Sequence, residues 1–133
     1  MVKQFKDSGK QPFVANLVEM AKLNENYREA IWTGEEFQIT LMSIPTGGGD
    51  IGMEIHRDHD QMLYLAAGTG KVQMGDAKDQ ISFEKTVTAE QTVIVPKNVW
   101  HNITNIGSEE MKVFSLYAPV KHPADVVQEN KPE

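Results

Sequence analysis

Four side chains in this 133-residue sequence combine oxygen and nitrogen donors that a divalent metal accepts. Glu54 offers a carboxylate, His56 and His101 offer imidazoles, and Gln61 offers an amide oxygen. Two imidazoles and one carboxylate meet the requirement of a site that holds a transition metal and leaves positions open. The sequence has no cysteine, so thiolate ligation and disulfides are excluded. Any ion must rest on imidazole, carboxylate, amide or water. The expected metal centre is therefore Glu54, His56, Gln61 and His101, holding one divalent transition metal ion per chain. Zn, Fe, Mn, Ni and Co all accept such ligands and are not distinguished.

Spacing tests whether these donors can meet. Side chains two apart on a strand share a face, about 6.5–7 Å apart along it. Glu54 and His56 would thus reach one ion from a strand over residues 51–56. Gln61 has the wrong parity for that strand, and the polar turn 57–60 resets it. His101 must arrive from a distant strand, which closure of a barrel would supply. Plainer readings stand beside this one. Glu54 also reads as a solvated carboxylate, and Gln61 as a hydrogen-bond partner of a metal-bound water. His59, flanked by Asp58 and Asp60, reads as a solvated turn residue, with a replacement ligand as the alternative. His122, before Pro123, reads as structural or solvated. The methionines at 42, 53, 62, 74 and 111 read as core filler. Gly47-Gly48-Gly49 lacks the Lys-Ser/Thr ending of a phosphate loop. No nucleophile motif supports a hydrolytic triad.

The elements that must position these groups are mostly strands. Residues 37–44 are β-rich and partly alternating, residues 111–117 alternate, and 61–66, 71–74, 81–87, 91–95 and 101–105 read as further strands. Residues 27–33 make a further candidate strand. Glycine-bearing or polar turns separate them at 45–50, 67–70, 75–77 and 107–110. Many short strands with frequent turns predict an all-β sandwich or barrel. Pro12 to Leu23 reads as a short helix, with an extended segment as the competing reading. Residues 1–11 are expected to fray, residues 27–118 to form the barrel core, and 119–133 to be a surface tail. One domain spans 1–133. Hydrophobic content of 40% suits a folded core, and a net charge of −6 gives no attraction to nucleic acid or anionic lipid. The N-terminal residues lack the apolar run of a signal peptide, which leads to an expected cytoplasmic location.

Residues 48–105 resemble the two motifs of the cupin superfamily. Gly48, His56 and Gly68 match the first motif, and Pro96, His101 and Asn105 match the second. Glu54 stands where the family places its first histidine, and Gln61 where it places its glutamate. Glu90 and Asn98 replace two glycines of the second motif; Asn tolerates the left-handed backbone almost as glycine does. The resemblance implies a double-stranded β-helix, a jelly-roll-like barrel with a short N-terminal helical or extended segment. It also implies a metal site. The two ligand departures compensate, because one carboxylate is retained and only its position moves.

Three functions follow as expectations. The favoured one is a metal-dependent enzyme acting on a small polar molecule, of dioxygenase, lyase or isomerase type. Tyr64 and Tyr117 are candidate bases if their strands turn them inward. The second is a non-catalytic barrel that binds or senses a small ligand. The third is a degenerate structural barrel. Small cupins are commonly dimers, and a segment such as 12–23 is suited to packing across a partner's sheet, so a homodimer is expected.

Overall fold

Alternation of side chains decides which face of each strand is buried. The computed structural model describes residues 3–132. One helix, α1 (Leu17–Leu23), precedes nine strands: β1 (Arg28–Thr33), β2 (Gln38–Ile44), β3 (Asp60–Ala67), β4 (Thr69–Ala77), β5 (Gln80–Thr88), β6 (Thr92–Val95), β7 (Trp100–Asn105), β8 (Met111–Ala118) and β9 (Val127–Gln128). A six-stranded sheet runs β6-β3-β8-β2-β1-β9, and a three-stranded sheet runs β5-β4-β7. Every pairing is antiparallel.

Directly opposed residues of an antiparallel ladder share a face. The inner face of the large sheet therefore reads as cross-strand rows. Met42, Val113 and Leu65 form one, Thr40, Ser115 and Leu63 the next, and Gln38, Tyr117 and Gln61 the last. The apolar rows join Val72, Met74 and Ile103 of the facing sheet in one core cluster. Interior polarity thus rises along the strands towards the row that holds Gln61. On the outer face, Leu41 lies opposite Phe114, and Phe114 opposite Tyr64. There α1 covers a second cluster with Ala21, Ile31, Leu41 and Ala66 at its centre.

Four expectations change. The helix is shorter than residues 12–23, because Asn16 caps it by accepting the Glu19 N–H at 3.0 Å. Residues 3–11 are anchored rather than frayed. The Phe5 N–H donates to Glu29 Oε1 at 2.8 Å, and the Ser8 N–H to the Ile31 carbonyl at 2.9 Å. Met1 and Val2 lie outside the described residues. Residues 51–56 are no regular strand: the segment that begins at Asp50 pairs with β7 through two isolated bridges, Asp50–Thr104 and Glu54–His101. The surface tail folds back, with β9 pairing to Arg28 and Glu29 and the Tyr27 N–H donating to the Glu129 carbonyl at 3.1 Å. That return covers the outer edge of β1, a position that would otherwise present unpaired backbone groups. No helix among the described residues is long and apolar enough to cross a membrane.

Gly68 alone separates β3 from β4 and has φ +99°. A Cβ there would meet Met111 Cα at 2.9 Å. Gly68→Ala is therefore expected to destabilise the fold by about 1–3 kcal/mol, from left-handed strain plus the backbone clash. Urea denaturation of both proteins checks it, and an unchanged midpoint would contradict it.

Candidate metal centre

The site rests on two backbone connections between distant segments. The Glu54 N–H donates to the His101 carbonyl at 3.0 Å, and the His101 N–H returns to the Glu54 carbonyl at 2.8 Å. A pair joined this way turns both side chains to one face. The Asn98 N–H donates to the His56 carbonyl at 2.7 Å, and the Lys97 N–H to Asp60 Oδ1 at 2.8 Å. Asn98 has φ +66°, in the left-handed region expected of it, and Glu90 takes φ +74°. These bonds fasten the turn 96–98 against the segment that carries His56.

Glu54, His56 and His101 each offer a ligand atom, and the three atoms lie within 4.8 Å of one another. Glu54 Oε1 is 3.3 Å from His56 Nε2 and 3.6 Å from His101 Nε2. These are ion-pair separations, and neither Nε2 has a hydrogen-bond partner. Burial alone would raise the Glu54 carboxyl. The adjacent His101 and His56 outweigh burial and hold it well below the usual carboxylate range. His101 Nδ1–H donates to the Val99 carbonyl at 3.0 Å, which leaves Nε2 with its lone pair directed elsewhere.

Gln61 is 3% exposed on β3, and its Oε1 has no partner. It shares its inner row with Tyr117. The Tyr117 ring stands 6.3 Å from that of His56 and 6.0 Å from that of His59. Burial pushes its phenol up, with the Arg28 charge working the other way. Tyr64 faces outward and stacks on Phe114 at 4.9 Å, so it has no part in the site.

His59 is not the solvated turn residue that its flanking aspartates suggest. It is 4% exposed, and its ring lies 4.2 Å from that of His56. Its Nδ1–H donates to Asp58 Oδ1 at 2.8 Å, and its buried Nε2 has no partner. Asp58 takes the solvent-facing position and orients the imidazole inward. His59 nevertheless stands outside the triangle of Glu54, His56 and His101. Asn105 serves the fold: its amide donates to the carbonyls of Ile44 and Glu109, and its oxygen accepts from the Gly107 N–H.

Sequence reasoning missed the outer wall. A cavity of about 220 Å³ is lined by Tyr27, Arg28, Glu54, His56, Lys121 and His122, among others. Gln38, buried on β2, draws His122 to this wall. Its amide donates to the His122 carbonyl at 2.9 Å, and its oxygen accepts the His122 N–H at 2.8 Å. The buried glutamine in a strand was the available signal, but its partner lies 84 residues away.

The comparisons agree with this architecture. The family model for the cupin domain, Cupin_2, matches residues 40–117. The chain belongs to the cupin family. The uncharacterised YrkC protein of Bacillus subtilis (strain 168) is 44% identical over 126 residues, covering 95% of this chain and 67% of that protein. An uncharacterised protein of Acanthamoeba polyphaga mimivirus is 31% identical, covering 92% of this chain and 75% of its own. The crystal structure of BH2720 from Bacillus halodurans matches with a TM-score of 0.93 and 43% identity, covering 95% of each chain. In this cupin the metal-capable group includes three of the four residues singled out in the sequence. The fourth, Gln61, lies buried on the inner face of the same barrel.

Burial and the neighbouring Arg28 and Lys121 charges pull the His122 imidazole down from 6.5 to about 4. The unfolded chain takes up that proton first, so stability is full above pH 6.5 and declines as pH falls towards 4. His59 is also lowered, chiefly by burial, and acts in the same direction. His122→Phe is expected to flatten this decline without abolishing it. Denaturant midpoints measured across that window check it, and an unaltered slope would count against it.

Proposed function

We propose that this cupin binds one divalent transition metal ion through Glu54, His56, His101 and Gln61, and uses it to act on a small polar molecule. One observation carries the reading. Three buried polar atoms of the inner wall, His56 Nε2, His101 Nε2 and Gln61 Oε1, have no hydrogen-bond partner. Buried polar atoms are ordinarily satisfied, so a cation and its waters account for this set. The donor chemistry fits: two imidazoles, one ionised carboxylate and one neutral oxygen, with no soft ligand. When bound, the ion would supply Lewis-acid polarisation of a substrate oxygen, or dioxygen chemistry if it is iron.

The chain's own residues define what remains. The Val99 carbonyl fixes the His101 tautomer, and the reciprocal Glu54–His101 backbone pair holds two ligands at one separation. Tyr117 closes the inner end beside His56 and His59. The rival reading, a small-ligand barrel without turnover, has one observation in its favour. Glu54 is the only carboxylate lining the cavity among the described residues, and it is assigned to the ion. His122, with its pKa near 4, is a weak base at neutral pH. Among the described residues, no separate strong proton acceptor lines the wall.

A homodimer is also proposed. Val14 is fully exposed and Leu23 is 63% exposed, a use of apolar side chains that a second copy would cover. A monomer at micromolar concentration in light scattering would remove this proposal.

The metal assignment is tested by elemental analysis after anaerobic loading with Fe, Mn, Ni or Zn. The expected result is about one ion per chain, lost in His56→Ala and in His101→Ala with circular dichroism unchanged. Failure to retain an ion under every loading would overturn it. Turnover lost on Glu54→Ala with the fold intact would favour the enzyme over the binding barrel.

A further inference from the structure

The outer wall of the cavity carries charge opposite to that of the whole chain. The protein has a net charge of −6. Yet Arg28, Lys121 and Lys131 line the cavity beside Glu54 and His56. Lys131 is committed to an ion pair with Asp50. Arg28 and Lys121 form no ion pair among the described residues. Two uncompensated cations thus face one carboxylate, and that carboxylate lies between two imidazoles.

Arg28 is the unusual member. It is 8% exposed, and its buried Nε has no hydrogen-bond partner. Its Nη1 donates to the Gln128 side chain, and its guanidinium lies 5.2 Å from the Tyr27 ring centroid. These contacts orient the fork but leave its charge unpaired. A buried guanidinium without an anion is costly, and its planar donors match a carboxylate. Strand β9 supplies the Gln128 contact, and the bonds between Gln38 and His122 hold neighbouring Lys121 at the cavity. The returning C-terminal segment is therefore part of the binding wall.

We infer that Arg28 and Lys121 form an anion subsite for a small organic acid, whose carboxylate they hold while a second oxygen function faces the Glu54–His56–His101 centre. This rests on the proposed metal-binding reading for its inner half only. The cavity of about 220 Å³ suits a small ligand. The positive wall disfavours cationic molecules of similar size, and it draws small anions towards an acidic protein.

Malonate is the probe, titrated calorimetrically into metal-free and metal-loaded protein, with inorganic phosphate and neutral malonamide as comparators. Malonate is expected to bind both forms, more tightly with the ion, and to weaken with added salt. Arg28→Gln should weaken binding by about tenfold or more, and Arg28→Lys by less. Lys121 is exposed, so Lys121→Gln provides a second variant without threat to the fold and should weaken binding about threefold. Absence of malonate binding in both forms, or equal binding by the wild type, Arg28→Gln and Lys121→Gln, would overturn the subsite. Tighter binding of phosphate or malonamide than of malonate would overturn the carboxylate class. Malonate binding by metal-free protein that retains no ion under any loading would sustain the subsite while removing the metal reading. The reverse result would do the opposite.

Discussion

The backbone pair between Glu54 and His101 is the constraint on which the site depends. Residues 51–56 lack a strand ladder that would hold their side chains in register. Two bridges substitute for it, and the one at Glu54 is reciprocal. The same two bonds satisfy buried backbone groups, join motifs far apart in sequence, and set a carboxylate against an imidazole. A ladder would have placed Glu54 and His56 on one face by parity. The observed arrangement instead places Glu54 by its partner strand, and His56 through the bond from the Asn98 N–H. This allows the segment to turn towards the cavity while the barrel behind it stays regular.

That barrel explains why the candidate ligands end where they do. The rows across β2, β8 and β3 pass from Met42–Val113–Leu65 through Thr40–Ser115–Leu63 to Gln38–Tyr117–Gln61. Apolar contact stabilises the far end, and hydrogen-bonding groups gather where the interior opens. Gln38 and Gln61 flank Tyr117 but have different tasks. Gln38 is satisfied by the returning chain at His122 and by Thr33. Gln61 keeps an unpaired oxygen. The same residue type, in the same row, thus serves the fold in one strand and is offered to the centre in the other.

Much of this was legible locally. The alternation of residues 111–117 identifies the inner face of β8. The left-handed tolerance of Asn98 identifies a turn that has φ +66°. Glu54, His56 and His101 were recognisable as donors, and they do converge. What escaped was non-local. His59 sits between two aspartates, a pattern that suggests solvent, but Asp58 faces water and anchors the imidazole inward. The polar composition of residues 119–132 conceals a two-residue strand whose register depends on Arg28 and Glu29, about a hundred residues earlier. Arg28 reads as an ordinary strand cation until the returning segment is placed beside it.

The location of the carboxylate follows from the cost of burying charge. The cupin pattern places an acid at position 61 and a histidine at position 54. Position 61 is nearly inaccessible, while the Glu54 side chain is 40% exposed. A carboxylate at the buried position requires a cation to offset its desolvation, so the metal-free barrel would carry an uncompensated charge. A neutral amide there requires only a hydrogen-bond partner. At the rim, Glu54 keeps part of its hydration and lies between two imidazoles. Moving the anion from the wall to the rim therefore preserves the donor set while reducing the penalty for the barrel without an ion. It also places the negative charge nearer the cavity opening, on the side that Arg28 and Lys121 line.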